Sequence, residues 1–329
     1  MRFLDGIVTQ PTALERSRQA VSAALAGLPR PGPDDVIALV GIGASEHAAR
    51  GAAPVWRAAG VRAFPVSAAE VDAAPRGAGA DFSVLISESG RSTETQRALE
   101  AMDVTRCLAV VNDPDSPLAR ATPHVLHLGS GEDSPVYTTG YTATLQALGM
   151  LADHWAGRTH DWSELPSLVD HVLKDARNTV EEVAESFGHA CIIDVVGGGV
   201  SQATAGEGAL LLRESARLLT AAHETRGYLH GPMEPLDEKV ACLVVGSGRE
   251  IRLAQDTAAL GCRTLLITTS SEVVASGSLS VLRLPSAGSP LAQAILEILP
   301  IQRLAWAVAS ARGLRVDGFR HVQDDTKLP

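Results

Sequence analysis

Lysine is nearly missing from this chain: three residues, Lys174, Lys239 and Lys327, stand in 329, and acidic side chains outnumber basic ones 38 to 28. A formal net charge of -10 leaves no broad basic face, so neither nucleic acid nor an anionic membrane surface is expected as a partner. A small anionic ligand is still compatible, because a few local donors bind it inside an acidic protein. Aromatic residues amount to 4%, too few for recognition of bases or polysaccharide by stacking. The four cysteines, Cys107, Cys191, Cys242 and Cys262, are far apart and form no CxxC pair. Each sits in an apolar, strand-like run, and the expectation is four buried thiols in a reducing compartment. No apolar run approaches the roughly 20 residues of a membrane span. The opening MRFLDGIVTQP is acidic and polar too early for a signal peptide, so the expected location is the cytoplasm.

Hydrophobic residues make up 45% of the chain, and its length suits two domains of about 150 residues each. Short apolar runs alternate with helical patterns, which reads as α/β with mostly parallel sheets. Strands are expected at 36–40, 61–66, 82–86, 107–111 and 124–128, then at 191–196, 240–245, 263–268 and 279–284. Long helices are expected at 45–59, 93–102, 139–154, 202–219 and 290–311, with a linking helix over about 166–187.

The two halves read as a diverged repeat. VIALVGIGAS, with Gly43, is matched by IIDVVGGGVS, with Gly199, 156 residues later, since 199 − 43 = 156. Each copy is a buried strand, a glycine turn, a serine and a helix, and a duplicated unit is more specific than either turn alone. The boundary is expected near residue 165, giving one subdomain over 1–165 and a second over 166–329.

A glycine turn after a strand first suggests dinucleotide binding. Here the third glycine of GxGxxG is replaced by Glu46 in the first copy and Gln202 in the second, and Glu46 would set a carboxylate beside a pyrophosphate. No nicotinamide, flavin or other cofactor is expected. His124 and His127 are three apart on a strand and face opposite sides, so no metal site is expected either.

The loop ISESGRSTET, Ile86 to Thr95, follows a strand and opens a helix. It groups the hydroxyls of Ser87, Ser89, Ser92 and Thr93 around Gly90, with Arg91 at the same mouth. Backbone N–H groups at a helix start and converging hydroxyls suit a phosphate monoester. The competing reading is a serine/threonine cluster that caps a surface helix. Farther on, Glu207 and Glu214 are seven residues apart on a predicted helix, nearly two turns, and share a face.

S-x-S-G-x-[ST] after a buried strand resembles the phosphate loop of the SIS (sugar isomerase) family. The chain is similar over nearly its whole length to the isomerase half of glucosamine-6-phosphate synthase and to related amino-sugar-phosphate isomerases, deaminases and deglycases. The resemblance implies two tandem SIS-type three-layer αβα subdomains. It implies that Ser45, in GIGASEHAA, lies at the sugar site and that Ser87, Ser89 and Ser92 bind phosphate. It also implies that VYTTGYTATLQ, from Val136, lines the same pocket. Glu88 stands where glutamine is common and is expected to turn toward sugar hydroxyls or an amino group; Arg91 replaces an acidic residue. EGALLLRE followed by HGP, His230 to Pro232, resembles the family's E-G-A-L-x-x-x-E…HGP signature, with Glu207 at its first position. By that match Glu214 moves a proton between C1 and C2 of the open-chain sugar, and a carboxylate buried by apolar neighbours has the raised pKa this needs. His230 opens the ring, reaching across a homodimer interface. The competing roles are an ion pair of Glu214 with Arg217 and a turn-capping role for His230.

The scarcity of lysine returns here. In synthase-type relatives a tail lysine forms a Schiff base with the sugar, and alignment of DGFRHVQDDTKLP sets Gln323 or Asp324 at that place, with Lys327 about three residues late. A second family lysine is Leu211 here, and no glutaminase domain is expected before the first strand. A phosphorylated amino sugar is therefore the expected substrate, without imine chemistry. Isomerisation or deamination is the first reading; C3 dehydration of N-acetylglucosamine 6-phosphate and a non-catalytic sugar-phosphate sensor are the alternatives. A sensor of the transcription-regulator type would carry a helix-turn-helix, for which the 35 or so residues before the first strand leave no room.

Overall fold

Five strands packed edge to edge, twice over, organise the computed structural model, which describes residues 1–72, 79–316 and 318–328. In chain order the elements are α1 (Phe3–Leu25), β1 (Ile37–Gly41), α2 (Ala44–Ala58), β2 (Ala63–Ser67), α3 (Ala68–Asp72), β3 (Phe82–Ile86), α4 (Thr93–Glu100), β4 (Cys107–Val111), α5 (Pro117–Ala121), β5 (His124–His127) and α6 (Thr139–Ala156). There follow α7 (Leu165–Gly188), β6 (Ile192–Gly197), α8 (Ser201–Ala216), β7 (Thr220–Glu224), α9 (Thr225–Tyr228), β8 (Val240–Val245), α10 (Arg249–Ala259), β9 (Arg263–Thr268), β10 (Leu279–Arg283) and α11 (Pro290–Ala311).

The first sheet has the order β2-β1-β3-β4-β5 and the second β10-β9-β8-β6-β7, all parallel. Read from β7, the second order repeats the first, so the strand–turn–helix duplication extends to the whole topology. Every residue of β1, β3, β4 and β8 is buried. That is why these strands stand out as unbroken apolar runs: helices cover both faces of a parallel sheet. The edge strand β7, TAAHE, was not anticipated, because only Thr220 in it is fully buried and no apolar run marks it. Helices α1 and α10 were not anticipated either.

The chain divides into two compact units. One comprises Thr9–Asp133, Thr139–Pro166 and the tail from Arg320, and holds the first sheet. The other comprises Met1–Val8, Ser134–Thr138 and Ser167–Phe319, and holds the second sheet. In the second unit Val196, Tyr228, Cys242, Val244, Leu253 and Leu266 form part of a core under α10. Cys107, Cys242 and Cys262 are buried as expected, but Cys191 is exposed, because it precedes β6 rather than lying within it. A second correction concerns α11: its 22 residues include an 18-residue window of mean hydropathy 1.3, long and apolar enough to cross a membrane. Instead, 78% of that window is buried in the protein. The charged residues Glu297 and Arg303 inside it had masked the apolar run, and both are themselves buried.

Candidate functional site

In each sheet the first strand is flanked by strands reached in opposite directions, and the crevice beyond its C-terminal end is where open parallel sheets bind ligands. In the first unit this point lies between β1 and β3. Gly43 has φ +56°, a left-handed turn that glycine adopts without strain. Gly41 is required for a second reason: a Cβ there would stand 2.8 Å from the Ser45 carbonyl carbon, so the first turn of α2 sits directly on the strand end. Ser45 is half-buried in that turn.

Beside it, the loop from Ser87 to Ser92 leaves β3. Ser87 is 2% exposed, its N–H donates to Val110 O at 3.1 Å, and its Oγ lies 3.2 Å from Ser92 Oγ. Gly90 has φ +61°, and a Cβ there would fall 2.0 Å from Ser116 Oγ, so this turn closes only on glycine. Ser92 occupies the cap position of α4, yet its side chain makes no capping bond. Its hydroxyl faces Ser87 instead, which weakens the reading of this cluster as a helix cap. Thr93 Oγ1 is out of solvent with no hydrogen-bond partner in the structure. The backbone N–H of Arg91 donates to Ser89 Oγ at 3.3 Å.

The carboxylate in this loop is turned and held. Asn112 Nδ2 donates to Glu88 Oε1 at 2.9 Å, and the Glu88 side chain packs so closely on Gly140 that a Cβ there would meet its Cγ at 2.6 Å. Asn112 is itself fixed: its Oδ1 accepts from the N–H and the hydroxyl of Ser130, at 3.1 and 3.0 Å. Arg91 lies 3.4 Å from Asp113, an ion pair that is more than a third exposed and therefore contributes little. Sequence reasoning missed Asn112, Asp113 and Ser116, which arrive from the ends of β4 and α5 rather than from the motif.

The C-terminal tail lies along the same loop. Lys327 pairs with Ser92 in an antiparallel bridge, Thr93 N donates to Thr326 O at 3.2 Å, and Leu328 N donates to Arg91 O at 2.8 Å. One of the helix-start N–H groups expected to be open is thus occupied by the tail. Lys327, which the sequence reading could not assign, therefore comes to the loop through its backbone.

The other expected site residues belong to the second unit. Glu207 and Glu214 are both on α8; Glu207 is 1% exposed and Glu214 is half-buried, less enclosed than expected of a proton-shuttling carboxylate. Arg217, its alternative partner, ends α8 in a left-handed conformation with φ 55°. His230 is exposed beyond α9, its N–H donating to Gly227 O at 3.0 Å. Val136 is buried, its carbonyl accepting from Ser134 Oγ. Thus Ser45, Ser87, Glu88, Ser89, Arg91 and Ser92 gather at one sheet end of the first unit, and Val136, Glu207, Glu214 and His230 belong to the second.

One buried carboxyl escaped the sequence reading. Glu297, on α11, accepts from Ser201 Oγ at 3.0 Å and Thr204 Oγ1 at 2.9 Å. Burial raises its pKa to about 7, the two hydroxyls pull it down, and the negative charge of Glu250 adds to the rise. No local motif announces it, because its partners lie 96 and 93 residues away.

Comparison with known proteins agrees with this architecture. The SIS domain family matches the chain twice, over residues 34–153 and 189–308. The chain is 29% identical over 263 residues to the glutamine–fructose-6-phosphate aminotransferase (isomerizing) of Thermus thermophilus, covering 73% of this chain and 43% of that relative. It therefore spans less than half the length of that protein. Among solved structures, the C-terminal domain of glucosamine-fructose-6-phosphate aminotransferase from Francisella tularensis superposes with a TM-score of 0.81 at 22% identity, covering 96% of this chain and 97% of that one. Glucosamine-6-phosphate deaminase from Thermotoga maritima gives 0.82 at 21%, with 98% of each chain covered. Tagatose-6-phosphate ketose/aldose isomerase from Escherichia coli gives 0.80 at 20%, covering 98% and 96%.

Proposed function

The chain belongs to the SIS domain family, and on that premise we propose that it is an enzyme acting on an amino-sugar 6-phosphate by removing the C2 proton. The observation that carries this reading is the loop after β3. Ser87 and Ser92 hydroxyls meet there at 3.2 Å, and Ser92 makes no capping bond to α4. Hydroxyls that decline helix capping and converge at a sheet switch point suit the oxygens of a phosphate monoester.

In this reading Ser87, Ser89 and Ser92 hold the phosphate, Arg91 adds positive charge at the mouth, and Ser45 contacts the sugar. Glu88, held by Asn112, is assigned to sugar hydroxyls or an amino group rather than to phosphate. Val136 and Glu207 are assigned to the pocket wall on family resemblance, and Glu214 and His230 to chemistry. His230 assists ring opening. Glu214 then takes the C2 proton, the C–H electrons move into the C1–C2 bond, and the C1 carbonyl oxygen takes a proton from solvent, giving an enediol or, with nitrogen on C2, an enaminol. Return of the proton to C1 gives the ketose side; with nitrogen on C2, the resulting imine loses ammonia on hydrolysis. None of these steps requires lysine, consistent with Leu211 and the displaced Lys327. The working protein is proposed to be a cytoplasmic homodimer, with His230 supplied across its interface.

Proton NMR in D2O with glucosamine 6-phosphate, N-acetylglucosamine 6-phosphate and fructose 6-phosphate tests this. Deuterium entering C1 or C2 supports the proton transfer, and released ammonia identifies deamination. A vinylic signal from the N-acetylated substrate would replace the isomerase reading by a C3 dehydratase. Tight binding with no exchange in any of the three would replace the enzyme by a sensor.

A further inference from the structure

The second sheet has a switch-point cavity of its own. About 410 Å³ of space opens beyond the C-terminal ends of β6, β8 and β9, lined by Gly198, Ser247, Glu250, Thr269, Gln293 and Glu297 among others, all within one unit. Its place in the topology repeats that of the phosphate-type loop in the first unit: Gly199 has φ +58° where Gly43 has +56°, and Ser201 crowds Gly197 as Ser45 crowds Gly41. The volume falls in the range of small-molecule pockets.

Its chemistry is inverted relative to the first unit. Glu250 Oε1 accepts from Thr225 Oγ1 at 2.6 Å, and Oε2 accepts from Gly248 N at 3.1 Å. Glycine at 198 and 246 makes room for this carboxylate, since a Cβ at either position would come within 2.7 Å of the Glu250 side chain. A built-in anion therefore occupies the ground proposed for a phosphate in the first unit. Glu297 brings a second carboxyl to the same wall, and among the described residues no lysine or arginine lines it. The neighbouring cation, Arg249, lies 3.4 Å from Asp256. The hydroxyls of Ser247, Thr269 and Ser286 also line the cavity. Gln293 Oε1 is engaged by Ala287 N, but its Nε2 is out of solvent without a partner. The Glu250 carboxylate, with no cation among the described lining residues, asks for a positive charge.

We propose that this cavity is a second ligand site, independent of the proposed catalytic one and selective for a protonated amine carried on a hydroxylated carbon chain. The ammonium faces Glu250, and the ligand hydroxyls face those of Ser247, Thr269 and Ser286.

The matched probes are glucamine and sorbitol, which share a polyol chain and differ in one terminal ammonium. Titration calorimetry and saturation-transfer NMR on the intact protein should show glucamine binding at least tenfold tighter than sorbitol. Glu250→Gln should weaken glucamine at least tenfold. Gly288→Leu tests the same site without touching an acid: Gly288 lines the cavity, has no left-handed backbone, and its added Cβ meets nothing within 4 Å. It should fold normally and block glucamine. Equal affinity for both probes, no glucamine binding, or binding that survives Gly288→Leu would overturn the proposal.

Discussion

A serine at a helix start has two uses for its hydroxyl, and Ser92 takes the one that faces away from its own helix. Its Oγ meets Ser87 Oγ instead of an N–H of its own helix, while the neighbouring Thr93 N–H is taken by the tail carbonyl of Thr326. Replacing Ser87 and Ser89 together by alanine is therefore expected to weaken every phosphorylated ligand while leaving unphosphorylated sugars unaffected. Each lost charge-assisted hydrogen bond corresponds to about 1.5–3 kcal/mol, and calorimetric Kd values for sugar and sugar phosphate check it. For Glu214 the expectation is a split in kinetics. Glu214→Gln should lower kcat by roughly 10²–10⁴ with KM nearly unchanged, the scale of a lost general base. An unchanged kcat would remove Glu214 from the chemistry, which its half-exposed position makes a pointed test.

At the scale of elements, α8 and α11 share the buried carboxyl of Glu297, which Ser201 and Thr204 of α8 hold from across the contact. Its pKa is raised from the usual 4.5 to about 7, chiefly by burial, with Glu250 adding to the rise. A carboxyl that binds its proton more tightly when folded contributes stability that is whole below about 4.5 and lost as pH rises through about 7. The loss is bounded at roughly 3 kcal/mol. Urea unfolding between pH 4.5 and 8 should show this decline in the parent protein and a flatter profile in Glu297→Gln. The same decline in both proteins would assign it to other groups. Gly90 illustrates the converse case, an element boundary set by backbone: φ +61° and contact with Ser116 leave room for no side chain.

For the whole molecule, one topology is used twice and diverges at its switch points. The first copy presents hydroxyls around a left-handed Gly90; the second fills the equivalent ground with Glu250. With the proposed phosphate site in the first copy alone, the protein is expected to bind one phosphosugar per protomer, and the proposed role of His230 requires a partner protomer. Light scattering should give a homodimer, and mixing inactive Glu214→Gln with inactive His230→Ala protein should restore part of the activity through mixed dimers. A monomer with full activity would return His230 to its own chain.

Much of this protein was written locally. Strand runs such as Cys107–Val111 and Val240–Val245 are legible because parallel strands buried on both faces must be continuously apolar. The glycine turns at Gly43 and Gly199 are legible because left-handed backbone next to a strand end selects glycine, and the 156-residue offset exposes the duplication. The hydroxyl cluster after β3 is legible because its members lie within six residues, from Ser87 to Ser92. What tertiary structure alone decided joins residues remote in sequence: Asn112 on Glu88, Ser116 under Gly90, the tail on Ser92 and Thr93, and Glu297 against Ser201. Edge strand β7 belongs with them, since a half-exposed strand leaves no apolar run to read. These contacts depend on which strand ends become neighbours in a sheet. Sheet order is set by packing over the whole chain, and short-range pattern carries no record of it.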